Sequence, residues 1–402
     1  MKLITLLIAA SCLQGSAAVS LRTLGSTLGS GSSSHDRSGS ADRASSAQNP
    51  LLDAASEGVP TLQALGVNPQ KGVGRYPIKQ AAITLAAFAA MLGGQIPALA
   101  KITDVSAAYE FIGVPPGQAF AIWGIIFTFE AIYVILSFIW RGNAESGAQG
   151  HPNDLASLNW KLQNPIRGVF VMQGIWSLLY GFVKTDYTVT NSGKSGIARG
   201  NALNEFDFFF WTSSILLFVI AGTFYHIAYQ TSLAAAKNEP SKGSREIFFA
   251  MTGLLLNTGW ITAAASFIPN QIALSLTTDS DDGNLAMQNT AIATAIGASL
   301  VALAPMVSCR TKKYNFWPMW AALTWAFSWV SSRVHKHENE ANFGQMIHNE
   351  YTTSKGIDVD TFINLYFAFA VTVASTCGLF ILVGLSTAPR NLLQSKAQST
   401  IL

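Results

Sequence analysis

Polar side chains are scarce in this sequence, so those that interrupt its apolar runs are the first candidates for chemistry. Glu130 is the only acid in the middle of any such run. A carboxyl at membrane depth is expensive and marks a functional site by default. It would orient a ligand, coordinate a metal held in a macrocycle, or carry a proton; a protonated carboxyl hydrogen-bonded to a neighbouring helix is the plain alternative. His226 is the only histidine inside an apolar run. That makes it the natural axial ligand for a haem or chlorophyll metal, although its place near the end of the run equally suits a solvated interfacial ring. Trp123, Trp176 and Trp260 lie within apolar runs, away from the usual interfacial belt. They serve either as bulky packing or as the aromatic faces that a flat macrocycle requires. Trp317, Trp320, Trp325 and Trp329 crowd one run. At about 100° per residue they cover roughly half a helix circumference, which suits anchoring and packing better than a pigment stripe.

Several chemistries are absent. No phosphate-binding Gly-rich loop, nucleophile elbow or H-E-x-x-H helix is present, and nothing pairs a nucleophile with a base. These absences lean against an enzyme and assign no catalytic residue, leaving enzyme status undecided. Segment 333–360 holds His335, His337, His348, Glu338, Glu340 and Glu350, but in no known ligand spacing, and it reads as a solvated loop. No metal site is assigned. Three cysteines exclude a disulfide framework. A net charge of +3 with no basic aromatic stripe excludes nucleic acid as a partner.

These residues must be positioned by membrane helices. Half of the 402 residues are hydrophobic and 12% are charged, about half the charge of a soluble chain. Crossing the hydrocarbon core takes about 20 apolar residues as a helix. Eight windows qualify approximately: 80–100, 117–140, 168–184, 208–233, 246–268, 289–307, 315–331 and 361–385. The fold class expected is an all-α polytopic membrane protein, with the lipid bilayer as its first partner.

The N-terminus carries an address. Residues 1–18 have Lys2, an apolar stretch and then small residues, the anatomy of a signal peptide. Residues 19–79 form a Ser- and Gly-rich leader and tail; its first part, to about Pro50, is expected to be disordered and suits either a linker or a transit peptide. With eight crossings, fourteen basic residues outside the leader fall on the side of both termini and seven on the other. The positive-inside rule then puts both termini in the cytoplasm-equivalent compartment. A cleaved signal peptide alone would give the opposite orientation. Import into a complex plastid reconciles the two, with a membrane of the secretory pathway as the alternative.

Three segments resemble the TspO/MBR family of translocator and tryptophan-rich sensory proteins. Val114-Pro115-Pro116-Gly117-Gln118-Ala119-Phe120-Ala121-Ile122-Trp123 is similar to that family's Pro-Pro-Gly start of helix 2. Gln173-Gly174-Ile175-Trp176-Ser177 is similar to its helix-3 run, with Gln173 replacing an Asn. Gly259-Trp260-Ile261-Thr262 resembles the start of its helix-5 segment, where the Asn usual eight residues after the Trp is Ile268 and Asn270 comes two later. The resemblance implies a five-helix bundle over 80–275. Beyond it the sequence places an acidic loop at 276–288, about three additional C-terminal helices at 289–385 and a tail at 386–402. It also implies binding of tetrapyrroles (porphyrin, haem or chlorophyll) or sterol-like molecules, with roles in transport or sensing. Ligand-binding residues would be Trp123, Trp176, Trp260, Gln173, Glu130 and Phe120, in a cavity among helices 1, 2 and 5 walled by Trp123 and Trp260. A homodimer fits as well. Two other functions stay open: a structural, pigment-bearing subunit of a photosynthetic membrane complex, and a tetrapyrrole-degrading enzyme.

Overall fold

The computed structural model describes residues 76–139, 155–184, 207–237, 242–277, 280–308, 316–337 and 341–387. The leader and C-terminal tail, with the signal-peptide and transit-peptide expectations, lie outside these residues. Nine α-helices and one 3-10 turn make up the architecture, without a strand among the described residues. They are α1 (Ile78–Ala108), the turn Gly117–Ala121, α2 (Ile122–Ile139), α3 (Leu155–Tyr180), α4 (Phe208–Lys237), α5 (Lys242–Leu276), α6 (Asp281–Ser308), α7 (Trp317–His335), α8 (Ala341–Tyr351) and α9 (Val359–Thr387).

Among the described residues, each expected apolar window is mostly helical, because only a helix satisfies its own backbone groups in an apolar medium. Five segments are long and apolar enough to cross a membrane: Gly117–Ile139, Phe208–Ala234, Phe249–Leu276, Asp281–Leu303 and Val359–Leu382. This is compatible with an integral membrane protein. Among the described residues, helices α3 and α7 do not reach that apolarity. In α3 the reason is local, since Lys161 and Arg167 fall in its first half.

The first five helices close a ring in the order α1, α3, α4, α5, α2 and back to α1. Helix α5 is the hub. Its apolar segment is 83% buried, against 28–39% for the other four, because α7 and α6 cover the faces that the ring leaves free. Two close approaches depend on missing side chains. A Cβ on Gly94 of α1 would run into the backbone of Gly174 of α3. A Cβ on Gly253 of α5 would strike the backbone of α2 at Phe129 and Glu130. Without a hydrophobic force between helices in lipid, such close packing is a main source of association. Gly253→Ala is therefore expected to force α2 and α5 apart at a cost of about 1–3 kcal/mol. Thermal unfolding in detergent would read this as a lowered midpoint, and an unchanged midpoint would refute the contact.

The C-terminal helices are fastened rather than loosely appended. Trp320 of α7 is buried, donates from Nε1 to the Ala302 carbonyl of α6 at 3.2 Å, and packs against Phe380 of α9 with ring centroids 5.0 Å apart. Two expectations about the connections are corrected. The supposed acidic loop is mostly helix: α6 begins at Asp281, with the Ser280 hydroxyl accepting from the Gly283 N–H at 3.1 Å. Asp281 and Asp282 occupy its first turn, where negative charge suits the helix dipole. The supposed solvated loop 333–360 contains α8, whose Phe343, Met346, Ile347 and Tyr351 are buried. Their spacing of three and four is an amphipathic signal that the surrounding charges masked.

Candidate functional site

A half-open cleft lies at the end of the bundle where α3 finishes and α4 begins. Phe111, Val114 and Pro115 from the α1–α2 connection line it, with Phe120 from the 3-10 turn, Trp176 and Tyr180 from α3, and Leu217 from α4. Helix α5 adds Trp260, Ala264, Phe267, Ile268 and Gln271. The space free of atoms is about 560 Å³, including its open mouth. The enclosed cavity is much smaller, about 70 Å³, but its lining is mostly apolar and aromatic, as in small-molecule sites.

The walls follow from helical spacing. Trp176 and Tyr180, four apart on α3, stack with centroids 5.3 Å apart and planes at 26°. On the facing helix, Trp260, Ala264, Phe267, Ile268 and Gln271 recur at three and four residues, which puts them on one face of α5. Phe120 meets Trp260 edge-on at 5.6 Å, and Phe111 meets Phe267 at 6.0 Å.

One turn deeper on the same two helices stand Gln173 and Asn257, and across from them Glu130 of α2. All three are fully buried. Asn257 Nδ2 donates to Glu130 Oε1 at 2.7 Å and to Gln173 Oε1 at 3.0 Å. The triad therefore ties α2, α3 and α5 together at one depth. Its remaining polar atoms, Glu130 Oε2, Gln173 Nε2 and Asn257 Oδ1, have no protein partner; neither do Trp176 Nε1 and Ser177 Oγ. Buried polar atoms are nearly always bonded, so this cluster is an unusual concentration of unused donors and acceptors beneath an aromatic cleft.

The mouth of the cleft is held by the additional helices. Trp325 of α7 donates to the Ala119 carbonyl at 2.8 Å. Arg333 pairs with Glu110, donates to the Val114 carbonyl at 3.3 Å, and lies over the Phe343 ring of α8 at 3.9 Å. The Tyr351 hydroxyl accepts from the Ile112 N–H at 3.3 Å.

Of the residues singled out in the sequence, Phe120, Trp176 and Trp260 line the cleft, while Glu130 and Gln173 lie outside its lining, in the buried triad with Asn257. Trp123 stands behind the wall, edge-on to Trp260 at 6.1 Å and buried against Phe127. The cleft is thus bounded by α3, α4 and α5 with the α1–α2 connection, rather than by helices 1, 2 and 5. His226 is on the exposed face of α4, away from the others. Sequence reading missed Asn257, although it is the only carboxamide between Phe249 and Ile268 and sits one turn before Trp260. Asn270 instead donates to Thr294 of α6 at 2.7 Å. His337 and His348 approach with ring centroids 6.3 Å apart, yet no group of three potential metal ligands occurs among the described residues.

No family model, curated protein or solved structure matches this chain. The site rests on its own geometry.

Proposed function

We propose that this protein is a membrane-embedded binding protein for a flat, apolar ligand of the tetrapyrrole kind, taken up in the cleft between α3 and α5. One observation carries the reading: the rings of Trp176, Tyr180, Trp260 and Phe267 line one cleft, and a buried polar triad lies one turn away on the same two helices. Planar rings gain from stacked and edge-on aromatic contacts beyond the area they bury, and a few polar groups fix orientation. The ring of five helices and the three tryptophan-bearing segments support a TspO-like identity for the first half of the chain. A plastid membrane is the proposed setting. Nothing in the cleft pairs a nucleophile with a base, so binding, with transport or sensing, is preferred to catalysis.

An absorption spectrum of the protein purified in mild detergent tests the reading first. A bound tetrapyrrole is expected to appear as an intense near-ultraviolet band that co-purifies with the chain. Protein prepared without pigment should show saturable quenching of its tryptophan fluorescence by added porphyrin. A featureless spectrum together with non-saturable quenching would refute the reading.

A further inference from the structure

We propose that Arg167 and its surroundings form a second site, at the opposite end of the ring from the cleft, for a phosphate group carried by an anionic lipid. Arg167 stands on α3 facing α1, at the point where the apolar window of α3 begins. Its guanidinium makes four hydrogen bonds: Nε to Thr84 Oγ1 at 3.0 Å, and Nη2 to the Gln80 carbonyl at 2.7 Å, Gln163 Oε1 at 3.1 Å and Tyr76 Oη at 3.2 Å. Every acceptor is neutral. No carboxylate among the described residues pairs with it, and Nη1 makes no bond. A guanidinium has five N–H donors in a rigid fork suited to carboxylate or phosphate. Here the four neutral acceptors fix the fork in place while leaving its charge uncompensated and one nitrogen unused.

The surroundings match a lipid headgroup. Exposed Lys79 in the first turn of α1 and exposed Lys161 on α3 add positive charge, and Lys161 donates to Gln230 Oε1 at 2.6 Å rather than to an acid. Neither α1 nor α3 has an acidic residue in its first turn. Asn159, Gln163 and Arg167 recur every four residues and so share one face of α3. Asn159 is fully buried, and its Nδ2 is without a partner even though Tyr133 donates to its Oδ1 at 3.1 Å. Tyr76 and Trp160 meet edge-on at 5.6 Å beside the arginine, a pairing typical of the headgroup level. Below it, Val171 and Ile175 of α3 and Leu85 of α1 are exposed and offer an apolar track for an acyl chain. Basic pockets between helices at this depth bind anionic headgroups. The buried face and the track together favour a lipid over a free anion.

The test uses the full-length protein, stripped of lipid in detergent and titrated with phosphatidylglycerol, phosphatidylcholine or inorganic phosphate, with bound lipid counted by native mass spectrometry. The wild-type protein should prefer phosphatidylglycerol to phosphatidylcholine by about fivefold, the effect of roughly one well-placed basic residue. Arg167→Gln should remove most of that preference, whereas Lys355→Gln, in the α8–α9 connection where it pairs with Asp282, should change it less than twofold. Millimolar inorganic phosphate should not displace the lipid. Absence of a preference in the wild-type protein overturns the site without reliance on any variant. An undiminished preference in folded Arg167→Gln, or displacement by free phosphate, overturns it as well.

Discussion

Replacing Trp176 and Trp260 together by alanine is expected to weaken porphyrin binding about thirtyfold, since each indole contributes roughly 1 kcal/mol of ring contact beyond its area. The two rings belong to different helices and line the same cleft, so no single neighbour substitutes for both. Trp123→Ala serves as the contrast. Its ring touches Trp260 from behind and does not line the cleft, so a loss of only a few-fold is expected, through loosened support. The measurement is a porphyrin titration followed by quenching of the remaining tryptophans, with helical content checked by circular dichroism. Equal losses from Trp123→Ala and from the double variant would place the ligand on the α2 side instead. Unchanged affinity in the folded double variant would remove the cleft as the binding site.

The contrast between those tryptophans shows how far the sequence could be read. The apolar windows were legible as helices because a helix satisfies its own backbone in an apolar medium, and five of them are long and apolar enough among the described residues to cross a membrane. Their ends were less so: α3 and α6 begin well before their apolar windows, at Leu155 and Asp281, since helix continues through polar turns wherever caps or neighbouring helices support it. The motif positions Phe120, Trp176 and Trp260 share one cleft lining, and motif residue Gln173 meets the intramembrane acid Glu130 through Asn257. What the sequence left open was orientation. An indole inside an apolar helix is equally suited to wall or to support, and only the rotation of α2 about its axis decides that Trp123 is support. Asn257 was missed for a related reason. A carboxamide near threonines on an apolar helix looks like ordinary local bonding, and its role appears only when Glu130 and Gln173 arrive from two other helices. The mouth was invisible for want of any local pattern: Glu110 and Arg333 are 223 residues apart.

Asn257→Leu is expected to be the most damaging single change in the bundle, at about 3 kcal/mol. Its amide nitrogen is the donor for both Glu130 and Gln173, so leucine removes two bonds at once. It strands a carboxyl and a carboxamide that are fully buried, and an unsatisfied buried group costs about 1–3 kcal/mol, more if charged. Glu130→Gln should be milder, because a glutamine oxygen still accepts the bond from Asn257 at the same length of side chain. The decisive variant is Glu130→Leu/Asn257→Leu. With the strongest unsatisfied group gone, the double variant should be less destabilised than the sum of its parts, by roughly 1 kcal/mol or more of coupling. Thermal unfolding in detergent gives the four corners of this cycle, and porphyrin titration gives a second reading of each. If the triad is also the polar floor of the ligand site, the double variant should recover stability without recovering affinity. Recovery of both would mean that the triad only fastens helices, and that the aromatic walls alone hold the ligand.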